Sequence, residues 1–228
     1  MCIRDRVISD QLKKIYECKL KSISRVYNGI DITYRPDKND PSIIAQINKF
    51  RDLNYKIIGS YAYLTRIKGL EQLIKVLEKR KDLAVVIIGE GEAKNELIEL
   101  SRTLNVIDRT LFLDYLPTPY NYLSLFDVYA MCSRSEGFGL AAVEATLMQT
   151  PVVCSNISIF KEIFDDTKVS FFELDNISSL LESINIAIST IGKLKAKVAL
   201  NYSLNNFSGY KMASNYLDIY SNLLNGKI

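Results

Sequence analysis

The sequence predicts an α/β fold, a doubly wound, Rossmann-like parallel six-stranded sheet followed by C-terminal helices. From about residue 54, short apolar runs alternate with longer amphipathic segments, which is the pattern of repeated βα units. The run AVVIIG at 84–89 is apolar throughout, as in a strand buried on both faces of a sheet. A glycine-rich turn, SRSEGFG at 133–139, then joins a predicted strand to a predicted helix.

Each predicted strand is a short run rich in β-branched and aromatic residues, and the six runs are 56–60, 84–89, 109–116, 127–131, 151–155 and 169–173. Helices are predicted between them at 68–81, 93–104, 119–126 and 158–164. In the first helix Leu70, Leu73, Ile74 and Leu77 share one face. Residues 176–228 lack strand signals and predict two or three helices. Right-handed crossovers between the strands complete the predicted topology.

The front end of the chain has a different pattern. Residues 8–21 look helical, 22–27 look strand-like, and NGID at 28–31 predicts a turn. This is too little sequence for a domain of its own. The opening MCIRDRV resembles a translated sequencing adapter, so it is left out of the fold prediction.

Composition excludes several classes of function. The chain has no histidine, which removes Ser-His and Cys-His nucleophiles and His-ligated metals. The four cysteines (Cys2, Cys18, Cys132, Cys154) form no CxxC pair, which argues against a zinc or redox site and suits a reducing cytosol. GxxxxGK is absent, and GEG at 89–91 departs from the dinucleotide fingerprint, so a P-loop and an NAD site are rejected.

Charge gives limited information about partners. Lys and Arg number 29 against 26 Asp and Glu, and this net charge of +3 gives no argument for nucleic acid. Residues 1–51 hold 11 basic and 6 acidic side chains, so peripheral contact with an anionic membrane through this region stays open beside the alternative of solvated helix faces. No apolar run reaches transmembrane length.

The glycine-rich turn is the candidate binding site. Doubly wound sheets bind ligands beyond the carboxyl ends of their strands, at the point where strand order reverses. Gly137 and Gly139 allow close backbone approach, and the helix beginning near Leu140 offers unpaired amides suited to phosphate. Glu136 and Glu144 could accept hydrogen bonds from vicinal hydroxyls, and such charge-assisted bonds offset the cost of burying Glu144 among apolar neighbours.

The pattern E-x7-E from Glu136 to Glu144, followed by QTPVVCS, resembles the GT-B glycosyltransferases of family 4. The pair Lys68-Gly69, the NGID turn and the C-terminal YLDIY segment extend the resemblance over about residues 7–225. The resemblance implies a nucleotide-sugar-binding half of the GT-B fold. It assigns 1–31 to the remnant of an acceptor-side domain (1–7 as an artefact), 32–53 to a linker and helix, 54–192 to donor binding, and 193–228 to helices packing back toward the first domain.

The resemblance also implies roles for individual residues. Glu136 and Lys68 are the implied catalytic residues, with Glu136 on the donor sugar hydroxyls and Lys68 on the diphosphate. Glu144 would bind the ribose hydroxyls. The remaining implied donor-binding residues are Ser133, Arg66, Gly137, Phe138, Gly139 and Leu140. The last three would act through their backbone amides.

The implied reaction is retaining transfer from a UDP-sugar or GDP-sugar to a glycan or lipid-linked acceptor, with no metal and no further cofactor. Surface polysaccharide or glycolipid synthesis, in the cytoplasm at the inner membrane face, is the implied setting. The chain by itself is expected to be inactive, because the acceptor side of the cleft would lie on the other domain.

Several positions depart from the family pattern. Ala62 and Tyr63 stand where a Gly-Arg pair usually ends the first strand, and Arg66, the nearest substitute for the phosphate-binding Arg, is three residues out of register. Gln149 replaces a Gly, and SNISIF at 155–160 replaces a common Gly-Gly stretch. A degenerate nucleotide-sugar-binding module without turnover therefore stays open as an alternative function.

Overall fold

The structure, a computed structural model, describes residues 2–3, 24–31 and 39–225. The helix predicted at 8–21 and most of the linker predicted before residue 39 lie outside these residues. Within them, a short parallel pair is formed by β1 (Cys2–Ile3) and β2 (Ser24–Arg25). The main sheet contains β3 (Lys56–Tyr61), β4 (Leu83–Ile88), β5 (Thr110–Leu113), β6 (Val128–Met131), β7 (Val152–Ser155) and β8 (Ser170–Phe172).

The six strands of the main sheet are all parallel and follow the order β5-β4-β3-β6-β7-β8. Strand order runs outward in one direction from β3 and then reverses, so β6 pairs with the other edge of β3. This is a doubly wound topology, and it confirms the predicted fold class. The reversal places the topological switch point between β3 and β6.

Eight α-helices are described: α1 (Pro41–Asp52), α2 (Glu71–Lys79), α3 (Lys94–Thr103), α4 (Leu140–Leu147), α5 (Ser158–Ile163), α6 (Ile177–Ile188), α7 (Thr190–Asn206) and α8 (Gly209–Leu224). Short 3-10 segments cover Arg66–Lys68, Ile107–Arg109 and Pro119–Leu125. The helix predicted at 119–126 is therefore a 3-10 segment. The helix predicted from 68 begins at Glu71, because Gly69 has a left-handed conformation that ends the preceding turn.

The core lies on both faces of the sheet. All six residues of β4 are buried, and because side chains alternate along a strand they divide between two apolar clusters. Val86 and Ile88 belong to the cluster that includes residues of α1, α4 and α5, whereas Val85 and Ile87 belong to the cluster that includes residues of α2, α3 and α6. A strand covered on both faces needs the uninterrupted apolar run that the sequence shows.

Helix α7 connects the C-terminal region to the sheet domain. It runs across the domain boundary predicted at 192/193, and it packs against α4 and α6. Ala196, Ala199 and Ser203 are buried, and the Ser203 hydroxyl lies 2.7 Å from the hydroxyl of Thr146 on α4. The division into domains stays a prediction, but α7 packs as part of the same core as the main sheet. None of the described helices is long and apolar enough to cross a membrane.

Candidate functional site

A cleft of about 480 Å³ opens at the carboxyl ends of β3 and β6, where the strand order reverses. Its lining combines the ends of the two strands, the turn before α2, the glycine-rich loop and the first turns of α4. The lining residues are Asn28, Ser60, Tyr61, Ala62, Lys68, Leu70, Met131, Cys132, Ser133, Glu136, Gly137, Phe138, Gly139, Leu140, Ala141 and Glu144. The structure therefore brings together every predicted site residue except Arg66.

Gly69 explains how Lys68 reaches the cleft. Gly69 has φ +63°, and a Cβ at this position would lie 2.3 Å from the carbonyl oxygen of Cys132. Only glycine allows the Arg66–Lys68 turn to approach the loop after β6 this closely. The Lys68 ammonium group is thereby placed next to the glycine-rich loop, which gives the Lys-Gly pair a structural reason.

Two side chains hold this turn against the loop. The Arg134 guanidinium donates to the Arg66 carbonyl at 2.7 Å and to Glu71 Oε1 at 2.6 Å, and it also pairs with Asp175. The buried amide of Gln72 donates to the carbonyls of Gly69 (3.2 Å) and Cys132 (3.3 Å) and accepts from the Asp175 amide (2.9 Å). The polar groups of Gln72 are thus satisfied within the protein, and its hydrogen bonds hold three loops together.

Glu136 lies at the centre of the loop and is held from two sides. Its Oε1 atom accepts hydrogen bonds from Lys68 Nζ at 2.6 Å and from the Ser133 hydroxyl at 2.7 Å. Ser133 is itself fixed, because its carbonyl accepts from the buried Ser155 hydroxyl at 2.5 Å. Both recorded bonds fall on one carboxylate oxygen, which leaves the Oε2 atom as an acceptor for a ligand hydroxyl.

Glu144 lies one turn into α4 and faces the same cleft. Its Oε2 atom accepts a hydrogen bond of 2.5 Å from the hydroxyl of Tyr61, the last residue of β3. Burial raises the pKa of the Glu144 carboxyl above its ordinary value of 4.5, and the bond from Tyr61 acts in the opposite direction. Burial also raises the pKa of the Tyr61 phenol well above 10, so Tyr61 is the donor at neutral pH.

The amino end of α4 lines the same cleft as the two carboxylates. Gly139 precedes the helix with φ +85° and ψ +45°, and no side chain caps the helix. Among the described residues of α4, Ala142 is the first whose amide donates to a backbone carbonyl, that of Gly139. The amides of Leu140 and Ala141 are thus available to an anion, as expected at a helix amino end.

Phe138 anchors the glycine-rich loop to the rest of the molecule. Its ring is buried and packs against Phe207, with ring centroids 5.7 Å apart, and against Tyr27 at 5.9 Å. Residues 28–31, predicted as a turn, follow Tyr27, and Asn28 lines the cleft. The front segment therefore contributes a polar group to the site.

Arg66 lies outside the cleft. Its guanidinium forms a two-point ion pair with Glu96 on α3, at 2.7 and 3.1 Å, and its side chain is 82% exposed. The pair borders a second cavity of about 580 Å³ formed by the Thr65–Ile67 turn and α3. Tyr63 is also exposed at the surface. A phosphate contact by Arg66 stays a prediction that would require this pair to break, and Lys68 is the one cationic side chain among the described residues that line the cleft.

Gln149 has a role at the end of α4. It has φ +55° just after the helix, and its amide donates to the Thr146 carbonyl at 3.0 Å. This is the left-handed position that usually carries glycine after a helix. Gln149 is not among the cleft-lining residues, so this departure from the family pattern affects a helix end and not the candidate site.

Sequence reasoning missed Tyr61, Gln72, Arg134 and Asn28. Gln72 carried no local signal, because on a regular helix it lies away from the apolar face of Leu70, Ile74 and Leu77, and its burial depends on the loops that pack against it. Tyr61 carried none either, since tyrosine is common in strands. As for metals, no group of three His, Cys, Asp or Glu side chains comes together as ligands anywhere in residues 24–31 and 39–225.

A cleft at the switch point of a doubly wound sheet, with two carboxylates and a cation near a helix amino end, is typical of the nucleotide-binding α/β class. The chain belongs to the family Glycosyl transferases group 1, whose family model matches residues 43–199. The O-antigen biosynthesis glycosyltransferase WclY of Escherichia coli is 35% identical to it over 202 residues, 87% of this chain and 55% of that protein.

A second relative is the N-acetylgalactosamine-N,N'-diacetylbacillosaminyl-diphospho-undecaprenol 4-alpha-N-acetylgalactosaminyltransferase of Campylobacter jejuni. It is 29% identical over 178 residues, 77% of this chain and 47% of that protein. The chain thus spans about half the length of these curated relatives.

Solved structures share the fold. A glycosyltransferase from Rickettsia africae has a TM-score of 0.83 at 22% identity, covering 98% of this chain and 63% of that one. Alr3699/HepE of Anabaena, solved in complex with UDP-glucose, has a TM-score of 0.80 at 22% identity over the same shares of the two chains.

Proposed function

We propose that this chain is the donor-binding half of a retaining, metal-independent glycosyltransferase of family 4 that takes its sugar from a nucleoside diphosphate. The observation that carries the proposal is that Lys68, Glu136 and Glu144 line one cleft at the switch point. The names of the E. coli and C. jejuni relatives support transfer in bacterial surface glycan synthesis. A glycan or lipid-linked acceptor and a site of action at the inner membrane face belong to the same proposal.

In the proposed complex each part of the donor meets a different group. Glu144 accepts hydrogen bonds from the ribose hydroxyls, and the diphosphate lies between Lys68 and the first amides of α4. The unpaired oxygen of Glu136 accepts from a hydroxyl of the sugar. Vicinal hydroxyls on a carboxylate form charge-assisted hydrogen bonds, which are stronger than neutral ones.

The same groups account for the proposed chemistry. Negative charge grows on the diphosphate as the bond to the sugar breaks, and Lys68 together with the amides of Leu140 and Ala141 stabilises that charge. The departing phosphate can receive the proton of the acceptor hydroxyl, which suits a chain that has no histidine. The acceptor would bind on a second domain, so we propose donor binding but no turnover for residues 1–228 alone.

Calorimetric titration with UDP, GDP and uridine tests donor binding. We expect UDP or GDP to bind with a Kd below about 1 mM, an affinity of about 4 kcal/mol. Lys68→Ala should weaken UDP binding about tenfold or more while leaving uridine binding unchanged, because it removes a contact to phosphate alone. Glu144→Ala should weaken both ligands.

Lys94→Ala is the matched control, since Lys94 pairs with Asp114 and does not line the cleft. Equal binding of UDP by all four proteins, or no binding of UDP and GDP at millimolar concentration, would contradict the proposal. Glu136→Ala should retain UDP affinity but lose discrimination between UDP-glucose and other UDP-sugars.

The second candidate function is a nucleotide-sugar-binding module without turnover. The ion pair of Arg66 with Glu96 and the single cation of the described cleft lining favour it, because they leave the diphosphate with fewer positive contacts. Release of UDP from a UDP-sugar by the chain joined to an acceptor-side domain separates the two candidates. Turnover supports the enzyme, whereas binding without turnover supports the module.

A further inference from the structure

Tyr61 occupies a position that connects the two halves of the switch point. It ends β3, and its hydroxyl reaches across to Glu144 on α4, 83 residues further along the chain. The hydrogen bond is 2.5 Å long. It is the one recorded hydrogen bond to the Glu144 side chain within the described residues, so the orientation of this carboxylate depends on Tyr61.

The Tyr61 ring is itself held in place. It is only 9% exposed and packs on the ring of Tyr129, with centroids 5.0 Å apart and planes tilted by 49°. The Tyr129 hydroxyl donates to the Tyr61 carbonyl at 3.3 Å. The Tyr61 phenol is therefore a rigid donor, because its ring is packed and its backbone carbonyl is hydrogen-bonded. A water molecule or a flexible surface side chain would not be held in this way.

We propose that Tyr61 is a positioning residue that holds Glu144 in the orientation in which it accepts the ribose hydroxyls of a nucleoside diphosphate. The inference rests on the proposed function of the cleft and extends it to a residue that acts through Glu144. A free glutamate side chain loses rotamer entropy when it is fixed. With Tyr61 in place, this ordering precedes ligand binding, which is the usual gain from preorganisation.

The bond has a second consequence for the charge of Glu144. Burial favours the protonated carboxyl, and the donor hydrogen bond from Tyr61 favours the carboxylate. The other titratable or charged groups around the carboxyl are Tyr129 on β6, Tyr120 beside Tyr61, and Lys68, Glu136 and Cys132 in the same cleft. Loss of the Tyr61 hydroxyl should therefore shift Glu144 toward its protonated form, which cannot accept from a diol in the same way.

Tyr61→Phe tests the inference, because it keeps the ring that packs on Tyr129. We expect its UDP affinity at pH 7 to fall about fivefold to tenfold, a loss of about 1 kcal/mol that is typical of one hydrogen bond. As the pH is lowered, the UDP affinity of this variant should begin to fall at a higher pH than the UDP affinity of the unmodified chain. The preference for UDP over 2'-deoxy-UDP should become smaller, since that preference measures the contact between Glu144 and the ribose 2'-hydroxyl.

Two further variants separate positioning from a general loss of structure. Tyr122→Phe removes a different buried phenol of the same apolar cluster, one that accepts from the Asp40 amide at 3.0 Å and does not line the cleft, and its preference for UDP over 2'-deoxy-UDP should stay that of the unmodified chain. In a Glu144→Ala background, Tyr61→Phe should change UDP affinity by less than about twofold, because no acceptor for the Tyr61 hydroxyl then remains at residue 144. An unchanged UDP preference and pH profile in Tyr61→Phe, or an equal effect in the Glu144→Ala background, would overturn the inference.

A ligand-free measurement keeps this test apart from that of the proposed function. Carboxyl carbon NMR, with Glu144 assigned by the Glu144→Gln variant, should show a higher pKa for Glu144 in Tyr61→Phe than in the unmodified chain. Identical titration curves would overturn the inference even if UDP binds. Failure of the unmodified chain to bind UDP or GDP contradicts the proposed function, and the NMR result still decides whether Tyr61 controls Glu144.

Discussion

At the scale of single residues, the main feature of the cleft is that neighbouring side chains hold its two carboxylates by hydrogen bonds. Lys68 and Ser133 meet on one oxygen of Glu136, and Tyr61 meets one oxygen of Glu144. Each carboxylate is thereby oriented by the protein and keeps a second oxygen for a ligand. Orientation before binding lowers the entropic cost of recognition.

The raised pKa of Glu144 predicts a trade-off between stability and binding. The folded-state pKa lies above the ordinary value of 4.5, so over the pH range between the two values the folded chain holds a proton that the unfolded chain has lost. The contribution of Glu144 to the free energy of unfolding therefore falls as pH rises through this range, and the loss persists at pH 7.

Glu144→Gln should accordingly raise the melting temperature at pH 7 while weakening UDP binding. The stability gain should diminish as the pH is lowered toward 4.5, where the unmodified carboxyl is protonated in the folded state. Thermal unfolding of both proteins between pH 4 and 8 measures the difference, and contributions from other carboxylates cancel in it. A Glu144→Gln variant that is less stable at pH 7, or a gain that grows at low pH, would contradict this reading of the site.

The residue scale also shows what sequence could not predict. Glu136, Glu144 and Lys68 were predicted because glutamate spacing and a Lys-Gly pair are local patterns. The Tyr61–Glu144 bond joins residues 83 positions apart, and it depends on which strand end lies beside which helix. The pairing of Arg66 with Glu96 likewise depends on how α3 packs beside the turn, and no local signal in the sequence indicates it.

At the scale of elements, the glycine-rich loop and α4 carry the site. A Cβ on Gly139 would lie 2.5 Å from the Phe160 ring, in a backbone with φ +85°, whereas a Cβ on Gly137 would meet nothing within 4 Å. The two glycines therefore have different functions, although they are two residues apart in one motif. Gly139 sets the entry into α4, and Gly137 leaves room at the cleft.

Gly139→Ala should lower the free energy of unfolding by about 2–4 kcal/mol, from left-handed strain together with overpacking against Phe160. Gly137→Ala is the matched comparison and should change it by less than about 1 kcal/mol, as for other exposed positions. Urea unfolding of both variants measures these values. Equal destabilisation by the two substitutions would show that the loop does not have the described geometry.

The strands were the most predictable elements. Each is buried on both faces or nearly so, and the resulting apolar runs stand out in the sequence, as β4 shows with six buried residues. Ends of helices were less predictable, because they depend on single contacts. The α2 start is set by the close approach of Gly69 to Cys132, and that contact exists only in the folded chain.

At the scale of the whole molecule, the C-terminal helices divide into two parts. Helix α7 and Phe207 are integrated into the core, and the Phe207 ring, 1% exposed, contacts Phe138 in the glycine-rich loop. Helix α8 contains no buried residue, and Tyr210 and Leu224 are 85% and 88% exposed. The domain boundary predicted at 192/193 would therefore divide a helix that supports the site.

Two truncations test this division. Removal of 193–228 should abolish cooperative unfolding and UDP binding, because it takes Ala199, Ser203 and Phe207 away from α4 and Phe138. Removal of 213–228 keeps Met212, whose sulfur accepts from the Gly29 amide at 3.2 Å. This second protein should melt within about 4 °C of the full chain, a change of about 1 kcal/mol at this size. A cooperative, UDP-binding protein lacking 193–228 would show that α7 is dispensable.

The proposed function depends on one donor molecule contacting three side chains in one cleft. A crystal structure of the chain with UDP bound tests this most directly. We predict ribose hydroxyl oxygens within about 3 Å of the Glu144 carboxylate, and a diphosphate oxygen within about 3 Å of Lys68 Nζ, the usual hydrogen-bond distances. UDP seated instead in the cavity beside Arg66 and Glu96, or bound with Lys68 and Glu144 both out of contact, would contradict the account.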